Sequence, residues 1–94
     1  MMTLLKQATQ LKKILHDMEI ELGIEELSAP EKSVLFATKE ITSQLAGAEM
    51  GQILSHPFLS GFSRPTIFRA VANLKAAGLL QKEDGRRGRY FTAE

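Results

Sequence analysis

The stretch 63–78, SRPTIFRAVANLKAAG, constrains the fold more than any other part of the sequence. Ser63 is a typical N-terminal capping residue, and Pro65 suits a first helical turn, where its missing N–H costs little. Gly78 is typical of the position just after a helix C-terminus. The apolar residues that recur at the spacing of one helical face are Ile67, Ala70, Val71 and Leu74. The sequence therefore predicts a helix over 64–77 that buries one side and exposes the other.

The residues after this helix change period and predict a β-hairpin. Residues 79–81 begin an extended run, Asp84 and Gly85 are typical of a tight hairpin turn, and residues 89–93 return. The predicted wing, 82–90, carries basic residues around two glycines at its tip. These are Arg86, Arg87 and Arg89.

The N-terminal residues 2–22 predict an amphipathic helix. Its apolar residues alternate at spacings of four and three, which is the period of a helix with one apolar seam. Two interpretations are open: the seam folds onto its own domain, or it pairs with the same helix of a second subunit. The second is favoured, and the residues assigned to dimerisation are Leu4, Leu11, Leu15, Met18 and Leu22.

Two further helices are predicted between these segments. Ser28 and Glu31 form a capping box that begins a helix over about 29–45. Its apolar face is Val34, Leu35, Thr38, Ile41 and Leu45. A short helix is expected near 50–54, followed by a turn at 57–62 whose apolar side chains, Phe58, Leu59 and Phe62, point toward the core.

The predicted fold class is mostly α with a small β-hairpin. The predicted organisation is an N-terminal dimerisation helix, 1–24, and one domain, 25–94, since 94 residues suffice for a single domain.

The charged residues are unevenly distributed along the chain. Residues 1–55 hold five lysines and eight acids, and residues 56–94 hold seven lysines or arginines and three acids. The C-terminal part is therefore expected to meet an anionic partner, with a chance distribution as the alternative.

Several classes are expected to be excluded. The chain has no cysteine, which removes disulfides and thiolate chemistry and fits a cytoplasmic location. We expect no signal peptide, membrane span, cofactor, metal site or enzymatic activity. His16 lies among acids that do not share one helical face, and His56 precedes Pro57 without acids nearby in the sequence.

The order of a short helix, a turn, a capped helix and a basic hairpin is typical of a helix-turn-helix, whose second helix enters the DNA major groove. Ser63 and the first amides of that helix suit a phosphate. Arginine can pair with guanine and asparagine with adenine, whereas Phe68 either contacts a thymine methyl or packs under the hairpin. The candidate DNA-binding residues are Ser63, Arg64, Thr66, Phe68, Arg69, Asn73, Arg86, Arg87 and Arg89.

From about residue 28 to 92 the chain resembles the winged helix-turn-helix domains of bacterial and archaeal transcription regulators, broadly those of the MarR family. Such regulators open the recognition helix with Ser-x-x-Thr-apolar-x-Arg, which falls here on Ser63, Thr66, Ile67 and Arg69. The step into the wing falls on Gly78, Leu79 and Leu80. The resemblance implies a three-helix core, a hairpin wing and a homodimer on a pseudo-palindromic site in double-stranded DNA.

The chain departs from the MarR pattern in two places. It ends at Glu94, soon after the wing, where full MarR-type proteins have a further dimerisation helix, and the segment before Ser63 is longer than usual. A small-molecule effector is left open. The alternative function is a winged helix that binds another protein rather than DNA.

Overall fold

The computed structural model describes residues 3–85 and 88–93. This part of the chain is mostly helical with one small antiparallel hairpin, in agreement with the predicted class. The elements are α1 (Leu4–Leu22), α2 (Ala29–Gln44), α3 (Met50–Leu54), a 3-10 turn (Pro57–Leu59), α4 (Arg64–Ala76), β1 (Leu80–Lys82) and β2 (Tyr90–Thr92).

The core lies where α2 and α4 pack together, with the 3-10 turn and the hairpin closing its two sides. The predicted inner face of α4 is confirmed, because Ile67, Ala70, Val71 and Leu74 are all buried there. The other buried apolar residues of this cluster are Val34, Ala37, Ala48, Ile53, Leu59, Leu80 and Tyr90. This one cluster fixes the orientation of α4, so the opposite side of α4 faces outward.

A residue outside the hairpin also pairs with β2, which the sequence did not predict. β1 and β2 pair antiparallel, with Gln81 opposite Phe91. Ala48 forms an isolated antiparallel bridge to Tyr90, in which each residue's N–H donates to the other's carbonyl at 2.8–2.9 Å. The segment between α2 and α3 is therefore attached to the outer edge of β2, and it holds the hairpin beside the helices.

Helix α2 begins as predicted and ends one residue early. The capping box is present, with the Ser28 hydroxyl accepting from the Glu31 amide and the Glu31 carboxylate accepting from the Ser28 amide. The assignment of Leu45 to the inner face is wrong. Leu45 is the extended residue after the helix, with ψ of 163°, and its side chain is exposed.

The turn after α3 also corrects two predictions. Leu59 is buried and Phe62 is partly buried, as expected, but Phe58 is about half exposed and packs against the His56 ring, with the ring centroids 4.5 Å apart. His56 does have an acid nearby, because its Nε2 lies 3.5 Å from Oε2 of Glu40 on α2. This contact joins residues distant in sequence, so sequence proximity could not show it.

Helix α1 stands apart from the rest of the described chain. No other described helix or strand packs extensively against it, and Glu19 is its one buried residue. Glu19 accepts a hydrogen bond from Lys32 on α2 at 2.9 Å. Consistent with a projecting helix, the described chain is elongated, at 53 × 26 × 25 Å. None of the described helices combines the length and apolar character needed to cross a membrane.

Candidate functional site

The N-terminus of α4 is closed by two hydroxyls that bind each other. The Ser63 Oγ accepts from the Thr66 amide at 3.4 Å, which confirms Ser63 as the capping residue. The same Oγ lies 2.9 Å from the Thr66 Oγ1. Both hydroxyls are therefore held at the start of the helix, and the first turn of α4 is fixed before any ligand arrives.

The outward side of α4 combines basic and small residues. Arg69 is exposed, and helical geometry places it opposite the buried face, whereas Arg64 is exposed in the first turn on the side of Ile67 and Val71. Ala72 and Ala76 follow Arg69 on the same side and are also exposed. The two alanines were not singled out from the sequence. Their small side chains leave a smooth surface beside Arg69, along which the helix backbone can approach another molecule closely.

Asn73 is held by a neighbouring helix. Its Nδ2 donates to Glu31 Oε2 at 3.1 Å, and the other carboxylate oxygen of Glu31 accepts from the Ser28 amide at 2.8 Å. The Ser28 amide hydrogen bond is the main cause that lowers the pKa of Glu31, and the Asn73 hydrogen bond acts in the same direction. Asn73 thus links α4 to the N-terminus of α2, a contact that the sequence alone did not indicate.

Phe68 lies beside the hairpin, on one flank of the outward side of α4. It lines an open cleft of about 450 Å³ together with Met50, Lys82 and Tyr90. Its side chain is 45% exposed, so it borders this cleft without being enclosed. Of the two interpretations of Phe68, this location is closer to packing under the hairpin.

Arg89 is at the base of the hairpin, and its guanidinium turns back toward the helices. Nη1 donates to the Ala46 carbonyl at 3.0 Å, and Nη2 lies 3.9 Å from a carboxylate oxygen of Glu49. Its amide donates to Glu83 across the hairpin at 3.0 Å. The side chain therefore fastens the hairpin to the segment between α2 and α3. The other two predicted wing contacts, Arg86 and Arg87, lie outside the described residues.

The residues assigned to dimerisation form an exposed apolar stripe on α1. Their exposed fractions are Leu4 84%, Leu11 68%, Leu15 44%, Met18 54% and Leu22 49%. Leu5 and Ile14 widen the stripe and are also exposed. The structure does not fold the stripe onto its own domain, which disfavours the first of the two interpretations of this helix.

Within residues 3–85 and 88–93, no three His, Asp or Glu side chains are grouped closely enough to hold a metal ion.

Comparison with known proteins adds no assignment, because no protein-family model, curated protein or solved structure matches the chain significantly. The candidate site is therefore defined by its own geometry: the outward side of α4, the capped start of that helix, and the hairpin beside it.

Proposed function

We propose that this chain is a winged helix-turn-helix transcription regulator that binds specific double-stranded DNA as a homodimer. The observation that carries the proposal is the outward side of α4. Its inner face is buried in the core, and its outer face presents Arg69 beside two exposed alanines, with Arg64 exposed at the first turn of the helix. A single helix with such a face fits the width of the DNA major groove.

Arg69 is the residue assigned to base recognition. It lies opposite the core face, and Ala72 and Ala76 allow the helix axis to come near the bases. The arginine fork can donate two hydrogen bonds to a guanine edge, whereas a lysine offers only a point charge. Arg64, at the first position of α4, is assigned to the phosphate backbone, where positive charge and the helix N-terminus act together.

The hairpin supports this function by its position. The Ala48 bridge and the Arg89 contacts hold the hairpin against the segment between α2 and α3, and β1 packs against α4, so the hairpin lies beside that helix. The C-terminal residues 56–94 hold seven lysines or arginines against three acids, which favours an anionic partner. The exposed α1 stripe supports the homodimer, because a second copy can bury its apolar side chains. Two copies would present two α4 helices to successive major grooves, roughly 34 Å apart.

The proposal is tested by fluorescence anisotropy of the purified protein with a pool of short DNA duplexes across a salt series. Binding should weaken steeply with added salt, since phosphate contacts release counterions. After selection of a preferred sequence, Arg69→Ala should reduce the difference in binding free energy between that sequence and random DNA by roughly 1–3 kcal/mol. Lys75→Ala is the matched control, because it removes one positive charge from the last turn of the same helix.

Two results would count against the proposal. If Arg69→Ala and Lys75→Ala weaken binding to every sequence by the same factor, Arg69 does not read bases. If the parent protein fails to bind any duplex even at low salt, the DNA-binding function is rejected. The winged-helix protein-interaction module would then take its place.

A further inference from the structure

We infer that two copies of this chain pair through antiparallel α1 helices, and that the partner's Leu4 and Leu5 cover an apolar groove at the base of α1. This rests on the homodimer of the proposed function and specifies its interface. The occupant is a second copy of the chain. Three observations point to it: the symmetry of the stripe, the distribution of charge along α1, and the position of the groove.

The apolar stripe of α1 has the same spacing in both directions. The intervals from Leu4 to Leu22 run four, three, four, three, four, so the pattern is unchanged when the helix is reversed. Two fully overlapping antiparallel copies therefore bring every stripe residue opposite another. The facing pairs are Leu4 with Leu22, Ala8 with Met18, and Leu11 with Leu15. The smallest residue meets the flexible methionine, which can fill the space beside it.

Charge separates the two possible directions. The N-terminal half of α1 carries Lys6, Lys12 and Lys13 and no acid, whereas the C-terminal half carries three acids and no lysine. Parallel copies would align like charges along their whole length. Antiparallel copies instead bring Lys6 of one copy level with Ile20 and Glu21 of the other, and only Lys12 and Lys13 meet like charges, at the centre of the pair. Glu19 binds Lys32 of its own domain, which leaves Asp17 and Glu21 as the exposed acids.

The helix dipole favours the same direction. Helices are stabilised by acids in the first turn and bases in the last turn, and α1 has neither. Its charge distribution is instead opposed to its own dipole. An antiparallel partner places its acidic, C-terminal half beside the basic N-terminal half of the first copy. The two helix dipoles then point in opposite directions, which is the electrostatically favourable arrangement for neighbouring helices.

The groove lies where the partner's N-terminus would end. It has a volume of about 240 Å³ and is lined mainly by apolar residues, among them Leu22, Leu35, Phe36 and Leu79. Leu22 belongs both to the stripe and to the groove wall, so the residue that faces it in the dimer sits at the groove mouth. That residue is the partner's Leu4, and the partner's Leu5 follows it. Leu4 and Leu5 are 84% and 78% exposed in the single chain, which means that their burial would be gained entirely by pairing.

The arrangement also has a consequence for DNA. Each domain is attached to the C-terminus of its α1, so antiparallel helices carry the two domains at opposite ends. A helix of 19 residues is about 28 Å long at about 1.5 Å per residue. The points at which the two domains are attached would therefore lie about this far apart, and a dimer on successive major grooves, roughly 34 Å apart, needs its two domains separated. Parallel helices would place the two domains side by side.

The direction is tested by disulfide cross-linking, for which the absence of native cysteine is well suited. An equimolar mixture of Leu4→Cys and Leu22→Cys proteins should form a mixed disulfide dimer under mild oxidation, whereas Leu4→Cys alone should not. Antiparallel pairing keeps the two position-4 residues about 27 Å apart. Lys6→Cys mixed with Leu22→Cys is the control, since Lys6 lies off the stripe. A second pair, Ala8→Cys with Met18→Cys, covers the case in which one substitution disturbs pairing.

Sedimentation of the same samples separates the possible failures. Cross-linking of Leu4→Cys to itself in a dimer of the parent mass establishes parallel helices, and a dimer in which no pair cross-links places the interface elsewhere. Either result overturns this inference and leaves the DNA-binding homodimer standing. A monomeric parent at all concentrations rejects both the pairing and the homodimer of the proposed function.

Groove occupancy has its own readout, because the chain contains no tryptophan. Leu5→Trp should emit at shorter wavelength in the dimer than in the diluted monomer, since the indole becomes buried. Lys6→Trp, on the outer side of the helix, should emit at the same wavelength in both. Equal emission from the two variants in the dimer would show that position 5 does not enter the groove.

Discussion

At the scale of single residues, the hairpin depends on a glycine that lies outside it. Gly47 has a φ of 105°, and a Cβ at this position would come within 2.7 Å of the Arg89 Cβ and 2.8 Å of the Phe91 ring. Any larger residue must both adopt an unfavourable backbone conformation and push β2 away. The bridge between Ala48 and Tyr90 follows directly in the chain, so the same displacement would break it.

We therefore expect Gly47→Ala to lower the free energy of unfolding by roughly 2–4 kcal/mol, from the combined backbone strain and overpacking. Urea unfolding followed by circular dichroism measures this change. Gly51→Ala is the control, because a Cβ there meets no heavy atom within 4 Å and the position is helical. It should be neutral or stabilising by up to about 1 kcal/mol. Equal losses in the two variants would mean that Gly47 has no special role.

The lowered pKa of Glu31 makes a prediction for acid stability. A carboxyl whose pKa is lower in the folded state stabilises the fold above its ordinary pKa of 4.5, and this contribution is lost as the pH falls through the lowered value. Glu31→Gln should therefore flatten the dependence of unfolding free energy on pH below about 4.5. Asn73→Ala removes one of the contributing hydrogen bonds and should flatten it less. A parent-like pH dependence in Glu31→Gln would contradict the assignment.

Residues whose partners are near in sequence were predictable. The Ser28 and Ser63 caps depend on amides three residues away, and both are present as predicted. Partners from distant segments were not predictable, because nothing local encodes them. Asn73 was assigned to DNA from its outward position, whereas its amide binds Glu31, 42 residues earlier.

At the scale of elements, Arg89 ties the hairpin to the segment between α2 and α3, while β1 packs against α4. Its guanidinium donates to the Ala46 carbonyl, and a hydrogen bond with a charged donor is stronger than a neutral one. The ion pair with Glu49 adds little, since both side chains are about half exposed. Arg89 is thus better suited to position the hairpin than to reach a ligand.

We expect Arg89→Ala to lower the free energy of unfolding by roughly 1–2 kcal/mol and to leave the salt dependence of DNA binding nearly unchanged. Arg64→Ala should do the reverse: stability within about 0.5 kcal/mol of the parent, and a salt slope reduced by about one. Denaturant unfolding gives the stability of each variant, and anisotropy titrations across a salt series give the salt slope of each. A reduced salt slope for Arg89→Ala would show that its guanidinium leaves Ala46 to contact phosphate.

The elements themselves were largely predictable from the sequence, because apolar periodicity and capping residues mark them locally. All four helices and both strands occur near their expected places. The exceptions again involve distant contacts. The end of α2 was placed too late because Leu45 continues the apolar spacing, and the bridge at Ala48 was missed because a single strand residue has no period.

At the scale of the whole molecule, one part of the described chain has its own buried core and one part does not. The domain after α1 has a continuous buried cluster, whereas α1 buries one residue and exposes its apolar stripe. Most of a helix's stability in a protein comes from packing of its apolar face. The sequence indicated the stripe, but no single-chain pattern distinguishes a helix that packs on its own domain from one that packs on a copy.

The last prediction follows from this difference: folding of α1 should depend on pairing. Leu11→Glu places a charge in the middle of the stripe, so we expect a monomer at concentrations where the parent is a dimer, with lower helical content because the unpaired α1 frays. The other helices should remain, since the core cluster contains no α1 residue. Gln10→Glu adds the same charge one residue away, off the stripe, and should keep the parent's mass and helicity.

Sedimentation equilibrium and circular dichroism at matched concentrations test the two variants. If Leu11→Glu keeps both the parent's mass and its helical signal, the stripe is not the interface, and α1 is stabilised by something other than a second copy.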